Sequence, residues 1–188
     1  MALVVESEIL DLASGDRLAS ERFVREHYAD LYGWFLWLTN CPHRAADLTQ
    51  DTFVAFWESL RRTTPDTSAK TWLYSIGRNR FRKDCRDRRP HDTAGDAALD
   101  DEIAPMQTPL EVAEHREFAA ALEAEVARLP EDFREVFTLR LWQEFDYEEI
   151  AATQGISREL ARWRFFRARQ IIRSRLKAFG FQEDDDDK

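Results

Sequence analysis

Residues 146–176, "DYEEIAATQGISRELARWRFFRARQIIRSRL", decide the fold because they encode two helices separated by a glycine turn. Asp146 followed three positions later by Glu149 is the pattern of a capping box, which starts a helix. Gly155 supplies the turn, and Ser157 is a residue type preferred for capping the helix that follows. A short helix, a glycine turn and a long helix together predict a helix-turn-helix.

The second helix of this motif is strongly basic. From Arg158 to Lys177 it carries eight Lys or Arg against one acid, Glu159. One stripe at helical spacing is apolar and predicts the side that packs on the preceding helices: Ala161, Phe165, Ala168 and Ile172. A basic face can be merely solvated, but on the second helix of this motif it favours binding in the DNA major groove. Residues near the helix start suit base edges and later arginines suit phosphates, which gives the predicted contacts Ser157, Arg158, Glu159, Arg162, Arg164 and Arg167.

A second basic cluster lies upstream, "RNRFRKDCRDRR" at 78–89, directly after "TWLYSIG" at 71–77. It contains seven Lys or Arg and two Asp. Aromatic side chains beside arginines stack unpaired bases while the cations hold the phosphate backbone. Trp72 and Tyr74 are therefore candidates for contacts with single-stranded nucleic acid, although a core position suits Trp72 equally well.

The remaining segments predict an all-α protein, because apolar residues recur at helical spacing and few segments alternate. Ser20 is the predicted cap of a helix that Asn40 to Pro42 ends, and "RAADLTQDTFVAFWESL" at 44–60 is the next helix. Further on, "EDFREVFTLRLWQEF" at 131–145 is also predicted to be a helix. Residues 91–109 have no sustained apolar period, two prolines and five acids, which predicts a flexible acidic linker. The expected architecture is two small helical domains, 1–90 and 110–180, the second containing the helix-turn-helix.

Composition narrows the class of protein. The 188 residues carry a net charge of −9, which argues against a non-specific nucleic-acid coat. Cys41 and Cys85 lack metal-type spacing, so free thiols are expected and no metal or cofactor is predicted. No secretory segment opens the chain, and no apolar run approaches the roughly 20 residues of a membrane span, so we expect a cytoplasmic protein. "DDDDK" at 184–188 looks like a tag remnant and is left out of the fold prediction, and 1–19 receive no role.

Three blocks resemble the extracytoplasmic-function sigma factors of bacteria: "DLTQDTFVAFW", "TWLYSIGRNRFRKD" and "LPEDFREVFTLRLWQEFDYEEIAATQGISRELARWRFFRAR". They occur in the family's order and span most of 20–178. The resemblance implies a non-enzymatic transcription initiation factor that binds core RNA polymerase and directs it to promoter DNA. It also implies that 1–90 is sigma domain 2 and 110–180 is sigma domain 4.

The resemblance implies a role for each block. The helix at 44–60, which contains the first block, would dock on the clamp helices of the polymerase β′ subunit. Its implied contacts are Asp47, Leu48, Gln50 and Asp51. The loop 61–70 would capture a base flipped from the opened −10 element. The residues implied to support that strand are Trp72, Tyr74, Arg78, Asn79, Arg80, Arg82, Lys83 and Arg86. The helix starting at Ser157 would read the −35 element, the linker would run through the RNA-exit region, and an anti-sigma protein is a further implied partner.

One departure precedes the docking helix. The family commonly has Asp-Ala-Glu-Asp where this chain has Arg44-Ala45-Ala46-Asp47, a change of about three charge units that weakens docking on a basic partner. A phosphate would add about −1.5 to −2 charge units. On a helical wheel Thr49 is central in the apolar stripe, whereas Thr52 lies at its edge near Asp51. Thr52 is thus the predicted acceptor for a Ser/Thr kinase; the alternative is that both threonines are ordinary helix residues.

Another departure lies in the basic helix, where this chain has Leu160-Ala161 at the place of the family's usual small pair such as Thr-Val, and a bulky Trp163 follows. The −35 sequence therefore cannot be taken from relatives. The alternative class is a helix-turn-helix repressor or activator acting independently of polymerase, which would bind duplex DNA alone, usually as a symmetric dimer. An RNA-binding or scaffold protein would leave the aromatic and basic cluster at 71–89 unexplained.

Overall fold

The computed structural model describes residues 2–88 and 109–177, with side chains described for 8–88 and 118–177. Within these ranges it contains no strand, which confirms the all-α prediction, and eight helices. Their bounds are α1 Ala2–Ala13, α2 Arg17–Thr39, α3 Pro42–Leu60, α4 Ala69–Asp87, α5 Pro109–Ala127, α6 Glu131–Leu141, α7 Tyr147–Gln154 and α8 Arg158–Leu176. The predicted linker 91–109, apart from Pro109, and the predicted tag 184–188 lie outside the described residues.

The helix-turn-helix forms with the caps that the sequence predicts. Asp146 accepts a hydrogen bond from the Glu149 backbone N–H, and the Glu149 carboxylate accepts one from the Asp146 backbone N–H, both at 2.8 Å. Gly155 turns the chain with φ 65°, in the left-handed region that favours glycine. The Ser157 hydroxyl then accepts from the Leu160 backbone N–H at 3.2 Å and caps α8.

Two predicted helix ends are wrong. α2 begins at Arg17, because the Asp16 carboxylate accepts from the backbone N–H groups of Leu18 and Ala19; Ser20 therefore lies inside the helix. α6 ends at Leu141 instead of continuing to Phe145, since the backbone turns through Glu144 at φ 55°. That turn buries the Phe145 ring, which is 1 % exposed, so burial of an aromatic side chain outweighs helix continuation.

Helices α2, α3 and α4 form the N-terminal core. The rings of Phe23 and Phe56 stack with centroids 5.0 Å apart, and Trp34 packs against Phe35 at 5.2 Å. Gly77 of α4 lies at the closest approach of the helices, where an added Cβ would be 3.0 Å from Phe35 Cζ. The missing side chain therefore lets α4 pack tightly against both neighbours.

Helices α6, α7 and α8 form the C-terminal core. The stripe predicted on α8 is buried, with Ala161, Phe165, Ala168 and Ile172 each at most 9 % exposed. It packs against α6 and α7, so the opposite side of α8 is left facing solvent. This arrangement presents the start of the basic helix at the surface.

The two cores are in direct contact, which the sequence did not predict. α4 packs on α7 and α2 packs on α6. The Trp37 and Trp142 rings stack at 4.1 Å, and the Tyr74 ring lies 4.9 Å from Phe145.

Over the described residues, none of the helices combines the length and hydropathy that a bilayer-spanning segment requires.

Candidate nucleic-acid interface

The outer face of α3 carries an acidic stripe, defined by Asp47, Gln50 and Asp51. All three side chains are exposed and recur at helical spacing on one side of the helix. Leu48, predicted as part of the same docking surface, is only 6 % exposed. It supports the stripe from beneath, so three of the four predicted polymerase contacts are available to a partner.

Arg44 is engaged within the molecule. Its guanidinium lies 2.5 Å from the Asp84 carboxylate of α4, which Arg88 also contacts at 2.9 Å. Burial alone would raise the pKa of Asp84, but hydrogen bonds from Arg88 and Arg44 hold it below its usual range. The cation that departs from the family pattern is thus partly neutralised by α4 at one end of the acidic stripe.

The predicted position of Thr52 at the edge of the apolar stripe is wrong. Thr49 and Thr52 are both 0 % exposed, and each hydroxyl donates to a backbone carbonyl four residues earlier at 2.6 Å. A helical wheel of α3 alone could not show that Thr52 is buried, because the residues that bury it belong to α4. Gly77 lets α4 approach until its added Cβ would be 3.4 Å from Thr52 Cγ2. A kinase cannot reach this hydroxyl in the folded chain.

α4 has an outer face with exposed polar and basic side chains. Asn79, Lys83 and Arg86 are exposed, and they recur at i, i+4 and i+7, which places them on one side of the helix. Arg80 is half-buried beside them. Together with Ile76 these side chains line a shallow groove next to Ser59 of α3. This outer face is solvent-facing and positively charged, as a strand-binding surface requires.

Trp72 stands at the start of this face. It is half-buried, and its indole N–H donates to the Ser59 hydroxyl at 3.0 Å. That bond fixes the ring beside the predicted loop 61–70, of which residues 61–68 connect α3 to α4 and residues 61–64 are exposed. The sequence left Trp72 undecided between core and surface, and the structure places it between the two.

The other predicted strand contacts lie on the inner face of α4, against the second domain. Tyr74 is 0 % exposed, and its hydroxyl hydrogen-bonds to the Gln143 side chain. Burial raises the pKa of Tyr74, with a smaller contribution from Asp30. The Arg78 Nε donates to Glu135 at 2.8 Å. These side chains are not available to single-stranded DNA in this arrangement.

Arg82 is the most heavily bound of the inner-face cations. It contacts the carboxylates of Glu131, Asp132 and Glu135 on α6. Burial alone would lower the pKa of Arg82, but hydrogen bonds and charge from Glu135 and Asp132 raise it above its ordinary value. The guanidinium is therefore fixed as a cation between the two domains.

The start of α8 presents an exposed polar face. Ser157, Arg158, Glu159 and Arg162 are exposed there, and Trp163 lies beside them with 57 % exposure. Among the later predicted contacts Arg167 is exposed. Arg164 is half-buried and lies 2.8 Å from Asp132 and 3.0 Å from Gln154. Five of the six predicted −35 contacts thus face solvent.

Sequence reasoning missed the residues that join the domains: Asp132, Glu135 and Gln143. Glu135 is 0 % exposed and accepts hydrogen bonds from α4 and from Gln154. One signal was available, because Glu135 falls among the apolar positions of α6 with Val136 and Leu139. A carboxylate among buried positions requires a cationic partner.

Comparisons with known proteins agree on one family. The model for sigma-70 region 2 matches residues 23–91, and the model for sigma-70 region 4 matches residues 119–172. The RNA polymerase sigma-H factor of Pseudomonas aeruginosa is 29 % identical over 87 % of this chain and 89 % of its own length. The ECF RNA polymerase sigma factor SigM of Bacillus subtilis is 30 % identical over 79 % of this chain and 87 % of its own.

A solved structure shares the whole architecture. CnrH, a sigma factor of Cupriavidus metallidurans, was solved in complex with the cytosolic domain of CnrY. It superposes with a TM-score of 0.70 at 26 % identity, over 93 % of this chain and 97 % of that one. Because the superposition covers both domains at once, their mutual arrangement is also similar.

Proposed function

Because this chain belongs to the extracytoplasmic-function group of sigma-70 factors, which direct RNA polymerase in transcription initiation and are not enzymes, we propose that separate exposed faces divide that work. The acidic stripe of α3 binds core polymerase, the outer face of α4 binds the opened strand, and the start of α8 binds duplex DNA. The observation that carries the proposal is the adjacency of opposite charges. A groove joins Asp47 and Asp51 of α3 to Arg80 and Lys83 of α4, so a docked polymerase lies next to the strand-binding face.

Polymerase docking is assigned to the acidic stripe. Asp47 and Asp51 are exposed carboxylates one helical turn apart, and Gln50 between them is an exposed hydrogen-bonding side chain. Such a surface complements a basic helical partner, which the family identifies as the clamp helices of β′. Leu48 contributes by holding α3 in place.

The −10 strand is assigned to the outer face of α4 and to the loop 61–70. Trp72 offers an aromatic edge beside that loop, while Asn79, Lys83 and Arg86 offer hydrogen bonds and positive charge. An extruded base costs a few kcal/mol, which stacking and phosphate contacts offset. Tyr74, Arg78 and Arg82 join this site only when the two domains separate.

The −35 element is assigned to the start of α8. The Ser157 cap orients the first turn, and Arg158, Glu159 and Arg162 extend from it into solvent. A recognition helix places such residues against base edges in the major groove. Arg167, one to two turns further on, suits the phosphate backbone.

We also propose the domain division that the sequence predicts. Residues 1–90 correspond to sigma domain 2, 110–180 to sigma domain 4, and 91–109 to a linker through the RNA-exit region. A similar solved structure is that of the sigma factor RpoE of Bartonella quintana in complex with the anti-sigma factor NepR, which supports the proposal that an anti-sigma protein also binds this factor.

The absence of carboxylates at positions 44 and 46 is the one observation that supports activation by phosphorylation of Thr52. The hydroxyl is buried and bonded to the Leu48 carbonyl, so a kinase needs α3 to separate from α4 first. We propose that added negative charge strengthens docking only at exposed positions such as Gln50, and that in the folded protein Thr52 is a core residue.

The experiment reverses a charge on the acidic stripe of α3 and removes two charges from the outer face of α4. Asp51→Arg should abolish binding to core polymerase, because it places a cation against a basic partner. Lys83→Ala with Arg86→Ala should retain polymerase binding but lose run-off transcripts, because the opened strand is held less well. Glu26→Arg, an equal reversal at an exposed position of α2, is the control and should do neither. If Asp51→Arg binds polymerase as the parent chain does, the docking assignment is wrong.

The alternative class, a helix-turn-helix regulator that acts without polymerase, makes a different prediction. Such a protein binds duplex operator DNA by itself and usually as a symmetric dimer. A gel-filtration measurement with a promoter duplex and no polymerase separates the two classes. We expect a monomer and no sequence-specific complex.

A further inference from the structure

Trp163, on the basic helix α8, is the exposed tryptophan of this chain. The other five tryptophans are buried or half-buried, whereas Trp163 is 57 % exposed. Leu160, three residues earlier on the same helix, is 37 % exposed, so two large apolar side chains face solvent next to one another. Apolar surface left in water forgoes the free energy that its burial would release. The pair therefore indicates a surface that a partner covers.

The position of Trp163 on α8 shows which partner reaches it. The buried stripe of this helix faces α6 and α7 and consists of Ala161, Phe165, Ala168 and Ile172. At about 100° per residue, Trp163 lies roughly opposite the centre of that stripe. Glu159 one turn before it and Arg167 one turn after it are also exposed. In a helix-turn-helix, the outward face of the second helix is the one that enters the major groove.

A second aromatic ring supports the indole at the surface. Phe133 of α6 is half-buried, and its ring centroid lies 5.8 Å from that of Trp163. The neighbouring residues Arg164 and Asp132 form a 2.8 Å ion pair, which keeps this part of α8 against the start of α6. A ring that is already supported on one side loses little conformational freedom when its open side meets a partner.

The chemistry of this face fits a thymine in duplex DNA. Thymine presents a C5-methyl group in the major groove, and apolar side chains contact that group. The indole of Trp163 provides a large apolar surface at the centre of the face. Exposed cations surround it at Arg158, Arg162 and Arg167, so a polyanion fits this surface better than an apolar protein does.

We propose that Trp163, with Leu160 beside it, contacts the methyl group of a thymine in the −35 element and makes that A·T pair a specificity determinant of this factor. The inference rests on the proposed function, because it names a base that the start of α8 reads. Successive residues of a helix differ in direction by about 100°, so Arg162 contacts a different base pair from Trp163. The bulky side chain that departs from the family pattern thereby sets a base preference of this chain.

The test uses holoenzyme made from the full chain and core polymerase. A promoter duplex is selected by the parent holoenzyme from a pool randomised over the −35 element. Each thymine of the selected element is then replaced in turn by deoxyuridine, which lacks only the methyl group. One of these replacements should weaken binding of the parent holoenzyme about fourfold, as the loss of one buried methyl group predicts.

The decisive variant is Trp163→Ala. Its holoenzyme should bind the thymine duplex about tenfold less tightly than the parent, and it should bind the thymine and uracil duplexes equally. Arg167→Ala should weaken binding of both duplexes by the same factor, because a phosphate contact does not distinguish bases. Leu18→Ala is the matched control: it removes an apolar side chain that is 76 % exposed at the start of α2, and it should keep the fourfold preference.

Each outcome decides for or against the thymine contact. A parent holoenzyme that binds every uracil duplex as tightly as the thymine duplex overturns it, and so does a selected −35 element without thymine. A Trp163→Ala holoenzyme that keeps the fourfold preference also overturns it, because another side chain then contacts the methyl group. These results leave the proposed function intact when the parent holoenzyme still selects a −35 sequence. A parent holoenzyme that selects no −35 sequence would instead remove the proposed function.

Discussion

Replacing Thr52 by Glu separates a buried core threonine from a phosphorylation site. Thr52 is 0 % exposed, its hydroxyl donates to the Leu48 carbonyl at 2.6 Å, and its methyl group lies 3.4 Å from where a Cβ on Gly77 would stand. No space exists there for a longer side chain. A carboxylate at this position must be desolvated or must force α4 away from α3.

The magnitude follows from those two costs. Overpacking a tight site costs about 1–3 kcal/mol, and an unpaired buried charge costs several kcal/mol unless the group is neutralised. We expect Thr52→Glu to lower the free energy of unfolding by about 4 kcal/mol, against the 5–15 kcal/mol typical of whole domains. For a chain of this size that loss lowers Tm by about 10 °C.

Thermal and urea unfolding followed by circular dichroism provide the assay. Thr52→Val preserves the side-chain volume, and loss of its hydrogen bond should cost about 1 kcal/mol. Gln50→Glu adds the same charge at an exposed position of α3; it should alter stability by less than about 0.5 kcal/mol and strengthen polymerase binding. A Thr52→Glu chain that melts like the parent and binds polymerase more tightly would refute this reasoning and restore the kinase hypothesis.

Other predictions test the packing, a half-buried histidine and the −35 surface. Gly77→Val should destabilise the chain by about 2 kcal/mol, because its Cβ would be 3.0 Å from the Phe35 ring. Gly33→Ala should instead stabilise the chain by about 0.5–1 kcal/mol, because the space around the added Cβ is open. Urea unfolding measures both changes. Burial lowers the pKa of His27 below its ordinary value of 6.5, so the unfolded chain takes up the proton first and stability should fall as pH drops below 6.5. His27→Gln should reduce this dependence of stability on pH, which is measured by comparing urea midpoints at pH 7.5 and about 5.5. Arg162→Ala should weaken binding of holoenzyme to its −35 sequence by about 1–3 kcal/mol while changing non-specific binding little, as measured by competition with mutated duplexes.

The helix-turn-helix could be predicted because its signals are local. Asp146 with Glu149, Gly155 and Ser157 specify helix ends through bonds within a few residues, and each was found where the sequence indicated. The apolar stripe of α8 was equally predictable, since helical periodicity depends only on spacing along one element. Local pattern was misleading where two caps competed: Asp16, four residues before Ser20, caps α2.

What could not be predicted depends on contacts distant in sequence. Thr52 is covered because Gly77, on another helix, admits a close crossing. Tyr74 and Arg78 resemble DNA contacts in the sequence, yet Gln143 and Glu135, more than fifty residues away, bind them. Charge pattern along one helix does not show which cations another domain already holds.

Transcription from a promoter with and without core polymerase tests the central claim most directly. The promoter fragment is first selected by its binding to the purified chain together with core polymerase. The chain, core polymerase and this fragment are then combined, and run-off transcripts and DNA footprints are measured. The account predicts a defined transcript and a footprint over the −10 and −35 elements only when chain and core are both present. A sequence-specific footprint from the chain alone, with no transcript when core is added, would contradict it.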